Sequence, residues 1–320
     1  MPAKNSMQRA GRGVFLRIAM MSLSIVCRIG FAKPFTKFAL RQMSSPAKRA
    51  RAFAGYEPSG HDVIVATFAK SGTNWMMQIS QQLAHYGEAE FDHIHNVVPW
   101  PESPAPGPIS LSDPGPQADS PTGLRIIKTH NAVEHVPYQE KAVYLTVIRD
   151  PKEVAVSSYY FLGGILGVLP YISIDDWFEM FMDEGGLAER WVEHTAGFWD
   201  WRDRPNVLLL NYGGILKDPR ASLARVAETM GVELTPDQFE KVLHRSSFEY
   251  MSAHESQFAP PQLPFTKEKD RARMVRRGKS GASDEALSPA QQARIDDWCQ
   301  AQLKARGSDF PYADAFDLVT

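Results

Sequence analysis

A β-branched strand beginning Val63-Ile-Val-Ala-Thr67 runs into the turn Lys70-Ser-Gly-Thr73, and the turn opens a segment, Asn74 to Tyr86, with helical spacing and helix-forming residues. Such a strand, turn and helix form a seat for an anion: the unpaired amides of the first helical turn and the helix dipole both favour negative charge. Gly72 lets the backbone approach, Lys70 adds a mobile positive charge, and Ser71 and Thr73 offer hydroxyls. The order is not that of the nucleotide-kinase P-loop, in which the lysine follows the last glycine. Here the lysine precedes it.

A second seat is built in the same way. Lys141 to Ile148 is a continuous apolar run of the kind buried on both faces of a parallel sheet, and it ends at Arg149. Asp150 caps and Pro151 starts a helix expected over Lys152 to Phe161. Arg149 at the strand end and Ser157 two turns down the helix can therefore face one anion.

With its flanks, Thr67-Phe-Ala-Lys-Ser-Gly-Thr-Asn-Trp75 resembles the 5'-phosphosulfate loop of the cytosolic sulfotransferase family, usually Thr-Tyr-Pro-Lys-Ser-Gly-Thr-Thr-Trp. Ala69 replaces the proline, and Asn74 replaces the second threonine while remaining a good N-cap residue. Lys128-Thr-His130, the stretch Arg149 to Phe161, and Arg276-Arg-Gly278 come next in the family's order, so the resemblance spans roughly residues 56 to 282. It implies a 3'-phosphoadenosine 5'-phosphosulfate donor, with Lys70, Ser71, Gly72, Thr73 and Asn74 on the 5' side. Arg149, Ser157, Arg276, Arg277 and Gly278 would hold the 3'-phosphate. Trp75, Tyr212 and Phe248, with Ser246 beside the last, match the positions around adenine.

The chemistry implied is in-line sulfuryl transfer, which rests on positioning and charge stabilisation. Lys70 would stabilise the leaving phosphate and Lys128 the sulfuryl oxygens. His130 would take a proton from an acceptor hydroxyl, or less readily an amine, and Ser157 would hold Lys70 until the acceptor arrives. Lysines that supply the charge leave no need for a metal. His130 itself is a mark of the soluble small-molecule branch. His93 and His95 alternate as on a strand, but no third ligand at coordinating spacing accompanies them. Two other readings remain: a catalytically silent nucleotide-binding or membrane-tethered protein of the same fold, and a P-loop nucleoside or sugar kinase, which the loop order opposes.

Composition sets the frame. A chain of 320 residues, 43% hydrophobic, suits one α/β domain over residues 55–318, with a P-loop-like central parallel sheet flanked by helices. Strands are expected near residues 62–67, 125–129, 142–148 and 207–211. Residues 1–51 hold 11 Lys and Arg and no Asp or Glu, leaving 24 basic against 37 acidic residues in the remainder. The uncharged run Ile18 to Cys27 is too short to span a bilayer. Residues 1–54 thus read as a basic extension: a transit peptide, a membrane-surface segment or disorder. The protein is expected to be cytoplasmic, or organelle-targeted or membrane-associated through that extension. Cys27 and Cys299 form no disulfide framework.

The stretch Pro99 to Pro121 holds eight prolines and reads as an irregular loop at the acceptor mouth. The resemblance makes Trp100 and Phe161 acceptor-lining residues. The apolar, glycine-rich run Phe161 to Tyr171 is expected to be a flexible lid. Thr235-Pro-Asp-Gln238 and Ser288-Pro-Ala-Gln291 read as capping boxes that start helices of about 10 and 15 residues. No nucleic-acid module is present. Gly281-Ala-Ser-Asp284 stands where the family continues Gly-Asp-Trp-Lys, and its dimerisation motif is not recognisable, which leaves the oligomeric state open.

Overall fold

The computed structural model describes residues 30–43, 45–104, 107–260, 267–275, 278, 281–316 and 318. Strands β1 (Asp62–Ala66), β2 (Arg125–Thr129), β3 (Val143–Ile148) and β4 (Val207–Asn211) form one sheet, parallel throughout, in the order β2-β1-β3-β4. The apolar run of β1 is explained by burial on both faces. Val63 and Val65 pack into one hydrophobic cluster, and Ile64 and Ala66 pack into another on the opposite face. From β1 the chain goes to β2 on one side and then crosses to β3 on the other. Such a switch point opens a crevice at the carboxyl ends of the strands.

Helices cover both faces. On the Val63 face lie α3 (Thr73–Ala84), α8 (Pro219–Thr229) and α9 (Pro236–Arg245). Another cluster, around Trp177 and Trp191, joins α4 (Pro151–Leu166), α5 (Ile174–Met182), α6 (Leu187–Asp200) and α11 (Pro289–Ala305). Between α6 and α8 stand β4 and α7 (Tyr212–Lys217), and α10 (Phe248–Ala253) comes after α9. Both expected capping boxes are present, and Ser173 and Asp176 form a third at the start of α5.

Three local expectations are corrected. Phe161 to Tyr171 is not a flexible lid, because α4 continues to Leu166 and ends on Gly167 at φ 68°. Its glycines serve close packing: a Cβ on Gly164 would stand 2.7 Å from the backbone nitrogen of Ala272. Asn74 is not the N-cap. Gly72 takes that position at φ 93°, and Asn74 Nδ2 donates instead to the Phe258 carbonyl at 3.4 Å. His93 and His95 flank Ile94 in a 3₁₀ turn rather than a strand, and the His93 ring caps that turn.

Residues 1–29, Cys27 among them, lie outside the described residues. The two helices before β1 pack on the domain. The first, α1 (Ala32–Met43), buries Ala32 and Thr36 and lays Phe35 and Leu40 against the Trp177 cluster. The carbonyl of Arg49 in α2 (Pro46–Arg51) accepts a hydrogen bond from Asn131 Nδ2 at 3.3 Å. Among the described residues no helix is long and apolar enough to cross a membrane.

Candidate active site

The strand ends deliver the reactive groups to one cavity of about 1030 Å³. At the end of β1 the turn is drawn tight, with Ser71 N donating to the Phe68 carbonyl and the Thr67 and Thr73 hydroxyls 2.5 Å apart. Lys70 adopts φ 69°, a left-handed conformation that costs a non-glycine residue of the order of 1 kcal/mol. A Cβ on Gly72 would stand 3.0 Å from the Tyr212 ring, so only glycine admits that close approach without displacement. No side chain caps α3, which leaves the amides of its first turn available to an anion. Lys70 Nζ lies 3.8 Å from Met274 Sδ and 3.5 Å from the centre of the Phe161 ring.

At the end of β2, Lys128 is almost fully buried, with its ammonium 3.4 Å from the centre of the Trp100 indole. Burial lowers its pKa to about 7, against the opposing effect of Glu102. His130 Nδ1 stands 2.8 Å from the Thr67 carbonyl, which can only accept. The proton is therefore on Nδ1, and Nε2 carries the lone pair. Burial, and after it the charge of Lys128, holds the imidazole well below its usual pKa, so it is neutral and competent to accept a proton. Trp100 packs edge-on against His130 and stacks on His95, whose pKa falls to about 3, chiefly through burial. Among the described residues no cluster of three His, Cys, Asp or Glu side chains is arranged to hold a metal.

At the end of β3, Arg149 donates to the Lys70 carbonyl at 2.9 Å and to Glu153 at 3.0 Å, with its guanidinium 4.3 Å from the centre of the Tyr212 ring. Tyr212 stands directly after β4. Trp75 meets it edge-on and donates its indole N–H to the Ser246 carbonyl at 2.8 Å. Phe248 is partly exposed and lies against Gly278, where a Cβ would fall 2.1 Å from its ring. Trp75, Tyr212, Ser246, Phe248, Ser157 and Gly278 all line the cavity that Lys70 and His130 share. Arg276 and Arg277 lie outside the described residues.

Two carboxylates were missed by sequence reasoning. Glu102 is a lone acid among the prolines; it accepts from His130 N and Thr129 Oγ1, and burial raises its pKa. Glu153 ties Arg149 to the backbone at Gly281 and Ser283. Burial pushes the Glu153 carboxyl up, but these donors outweigh it and the net shift is down. Its four-residue separation from Arg149 on the first turn of α4 was the available signal for that pair.

A parallel sheet whose switch point gathers an uncapped helix N-terminus, two lysines and a neutral imidazole defines an α/β protein with an anion-binding cavity. The chain belongs to the sulfotransferase family: the sulfotransferase domain model matches residues 60–307. It is 28% identical over 246 residues to sulfotransferase 2A1 of Macaca fascicularis, covering 76% of this chain and 84% of that one. Sulfotransferase 1C2 of Oryctolagus cuniculus is 26% identical over 265 residues, covering 80% and 87%. Among solved structures, retinol dehydratase in complex with androsterone and the inactive cofactor PAP shares the fold at a TM-score of 0.65 and 20% identity, covering 84% of this chain and 87% of that one. Mouse sulfotransferase SULT7A1 complexed with PAP does so at 0.61 and 18%, covering 87% and 95%.

Proposed function

We propose that this sulfotransferase uses 3'-phosphoadenosine 5'-phosphosulfate as donor and a small, fairly apolar molecule bearing a hydroxyl, or less readily an amine, as acceptor. The observation that carries the reading is the convergence of Lys70, Lys128, His130 and the uncapped start of α3 on one cavity. The donor fits the polar atoms present: Ser71 Oγ, Arg149 Nε and Ser246 Oγ are buried without a hydrogen-bond partner and belong to residues in or beside that wall. Trp75, Tyr212 and Phe248 supply the apolar faces a purine needs. The complexes of structural neighbours with PAP support the same donor.

When bound, the donor supplies an activated sulfuryl group on a 5'-phosphate. His130 Nε2 takes the proton of the acceptor hydroxyl as the acceptor oxygen forms its bond to sulfur. The bond from sulfur to the 5'-phosphate oxygen breaks on the opposite side. Lys70 and the α3 amides hold the charge that collects on that oxygen, and Lys128 holds the sulfuryl oxygens. Arg149, with Ser157, Arg276, Arg277 and Gly278, is assigned to the 3'-phosphate, and Trp100 and Phe161 to the acceptor wall. The basic extension over residues 1–54 is read as a transit peptide, a membrane-surface segment or, ahead of α1, disorder.

The test is transfer of labelled sulfate from the donor to phenols, alcohols and sterols without added metal. Transfer to at least one acceptor is expected. Tight binding of 3'-phosphoadenosine 5'-phosphate with no transfer to any of them would instead favour a silent nucleotide binder.

A further inference from the structure

Phe31, directly before α1, is 56% exposed and Phe38 within it 62%, the highest values for a large apolar side chain among the described residues. Seven residues apart, the two rings lie about two helical turns from each other on the outer side of the helix. The other side is occupied. Ala32 and Thr36 are buried there, and Leu40 and Met43 line the cavity, whose wall Leu162 and Leu187 continue. α1 is therefore a partition, with two aromatic rings in solvent on one side and the cavity on the other.

Cations flank the rings. α1 and α2 together hold six Lys and Arg and no Asp or Glu. Three of the six are engaged: Lys33 with Asp176 at 2.5 Å, Lys37 with Asp183 at 2.6 Å and Arg49 with Glu193 at 3.7 Å. The first two pairs tie α1 to the two ends of α5. Arg41, Lys48 and Arg51 are exposed as well. Residues 1–29, which lead into this face at Gly30, add five Lys and Arg, again without an acid. An anionic bilayer meets both features, since its headgroups attract the cations and its acyl boundary takes the rings. A nucleic acid would meet the charge and leave both rings in water.

We propose that the outer face of α1 docks the protein on an anionic membrane, with Phe31 and Phe38 inserted and Arg41, Lys48 and Arg51 on the headgroups. Acceptors dissolved in the lipid then reach the cavity past α1. Because Leu40 and Met43 belong to the same helix, docking sets that apolar wall about 10 Å, one helix diameter, from the lipid. The proposal rests on the transferase reading and on the membrane-surface reading of the extension, and adds to them the docking face and the source of the acceptor.

The test mixes the full chain with vesicles of phosphatidylcholine, with or without phosphatidylserine, and reads bound protein by flotation. Binding to the phosphatidylserine vesicles is expected, and it should weaken without phosphatidylserine and in high salt. Phe31→Ser with Phe38→Ser should lower the partition coefficient by about tenfold or more, and Arg41→Gln by about fivefold. All three side chains are exposed, so both variants should keep the wild-type Tm. In turnover, the double variant should match wild type on a water-soluble phenol and fall several-fold behind on a long-chain alkylphenol supplied in phosphatidylserine vesicles. Unchanged vesicle binding in the double variant would overturn the proposal, as would equal rates of the two proteins on the vesicle-borne alkylphenol. A dimer in solution that the double variant dissociates, with no vesicle binding by wild type, would also overturn it and make the face a joint between two copies. Transfer to the soluble phenol without vesicle binding sinks the docking face and leaves the transferase reading intact. Vesicle binding with no transfer to any acceptor sinks the transferase reading and leaves the docking face standing.

Discussion

Glu102 holds the backbone N–H of His130 at 2.5 Å through one carboxylate oxygen, and the same oxygen accepts from the Thr129 hydroxyl at 3.0 Å. Its other oxygen is buried without a hydrogen-bond partner, and the carboxylate supports the charge on Lys128. One acid thus fixes the backbone of the proposed base and sustains the neighbouring cation. Glu102→Gln should lower kcat by about tenfold, or ~1.4 kcal/mol of barrier, and leave the affinity for 3'-phosphoadenosine 5'-phosphate unchanged. Because Glu102 raises the Lys128 pKa, its loss should also shift the basic limb of the pH profile to lower pH. A purely structural role would lower activity without moving that limb.

His130→Ala should reduce turnover by about 10²- to 10⁴-fold, the range for a general base. Lys70→Ala should cost about 10²- to 10³-fold. Nucleotide affinity, measured by calorimetry, should change much less in both variants. An unchanged rate in the His130 variant would remove it as the base.

The pH profile of kcat/KM should be skewed toward acid. His130 must be neutral and its pKa lies well below 6.5, so activity should persist as pH falls through the usual histidine range. Lys128 must be protonated, so activity should decline as pH rises through about 7. Negative charge brought by the donor favours the ammonium form, and the basic limb of kcat should therefore lie at higher pH than that of kcat/KM.

Gly72→Ala should weaken nucleotide binding. Gly72 is left-handed and a Cβ would meet the Tyr212 ring at 3.0 Å, so the variant must strain the loop or displace Tyr212 from Arg149. About 1 to 2 kcal/mol of strain corresponds to roughly five- to thirtyfold in Kd, readable by titration.

Glu153→Gln should lower stability by about 1 to 3 kcal/mol in chemical denaturation, since it weakens a buried ion pair and several charge-assisted hydrogen bonds. The Glu153 pKa is depressed in the folded protein. Its contribution is fully present above the unfolded value and is lost as pH falls through the folded one, so the two proteins should converge in stability in acid.

The strands and the phosphate turn were legible because a doubly buried parallel strand must be continuously apolar and a close backbone approach needs Gly72. That Arg149 and Ser157 face one cavity was legible from the strand end and the helical repeat beyond it. Glu102 was not, because it comes from a proline-rich excursion whose path no periodicity encodes. The packing of α1 and α2 was hidden in the same way: their basic composition read as an extension, whereas Leu40, Met43 and Arg49 form part of the cavity wall. Gly163 and Gly164 misled the reading of the lid, since the same residue type serves both mobility and tight helix packing.

On α4, Glu153, Ser157, Phe161 and Ile165 succeed one another at intervals of four, a stripe about 18 Å long. Its first residue grips Arg149, and the next three line the cavity. The helix therefore acts as a ruler that fixes the spacing of these side chains along one wall of the cavity.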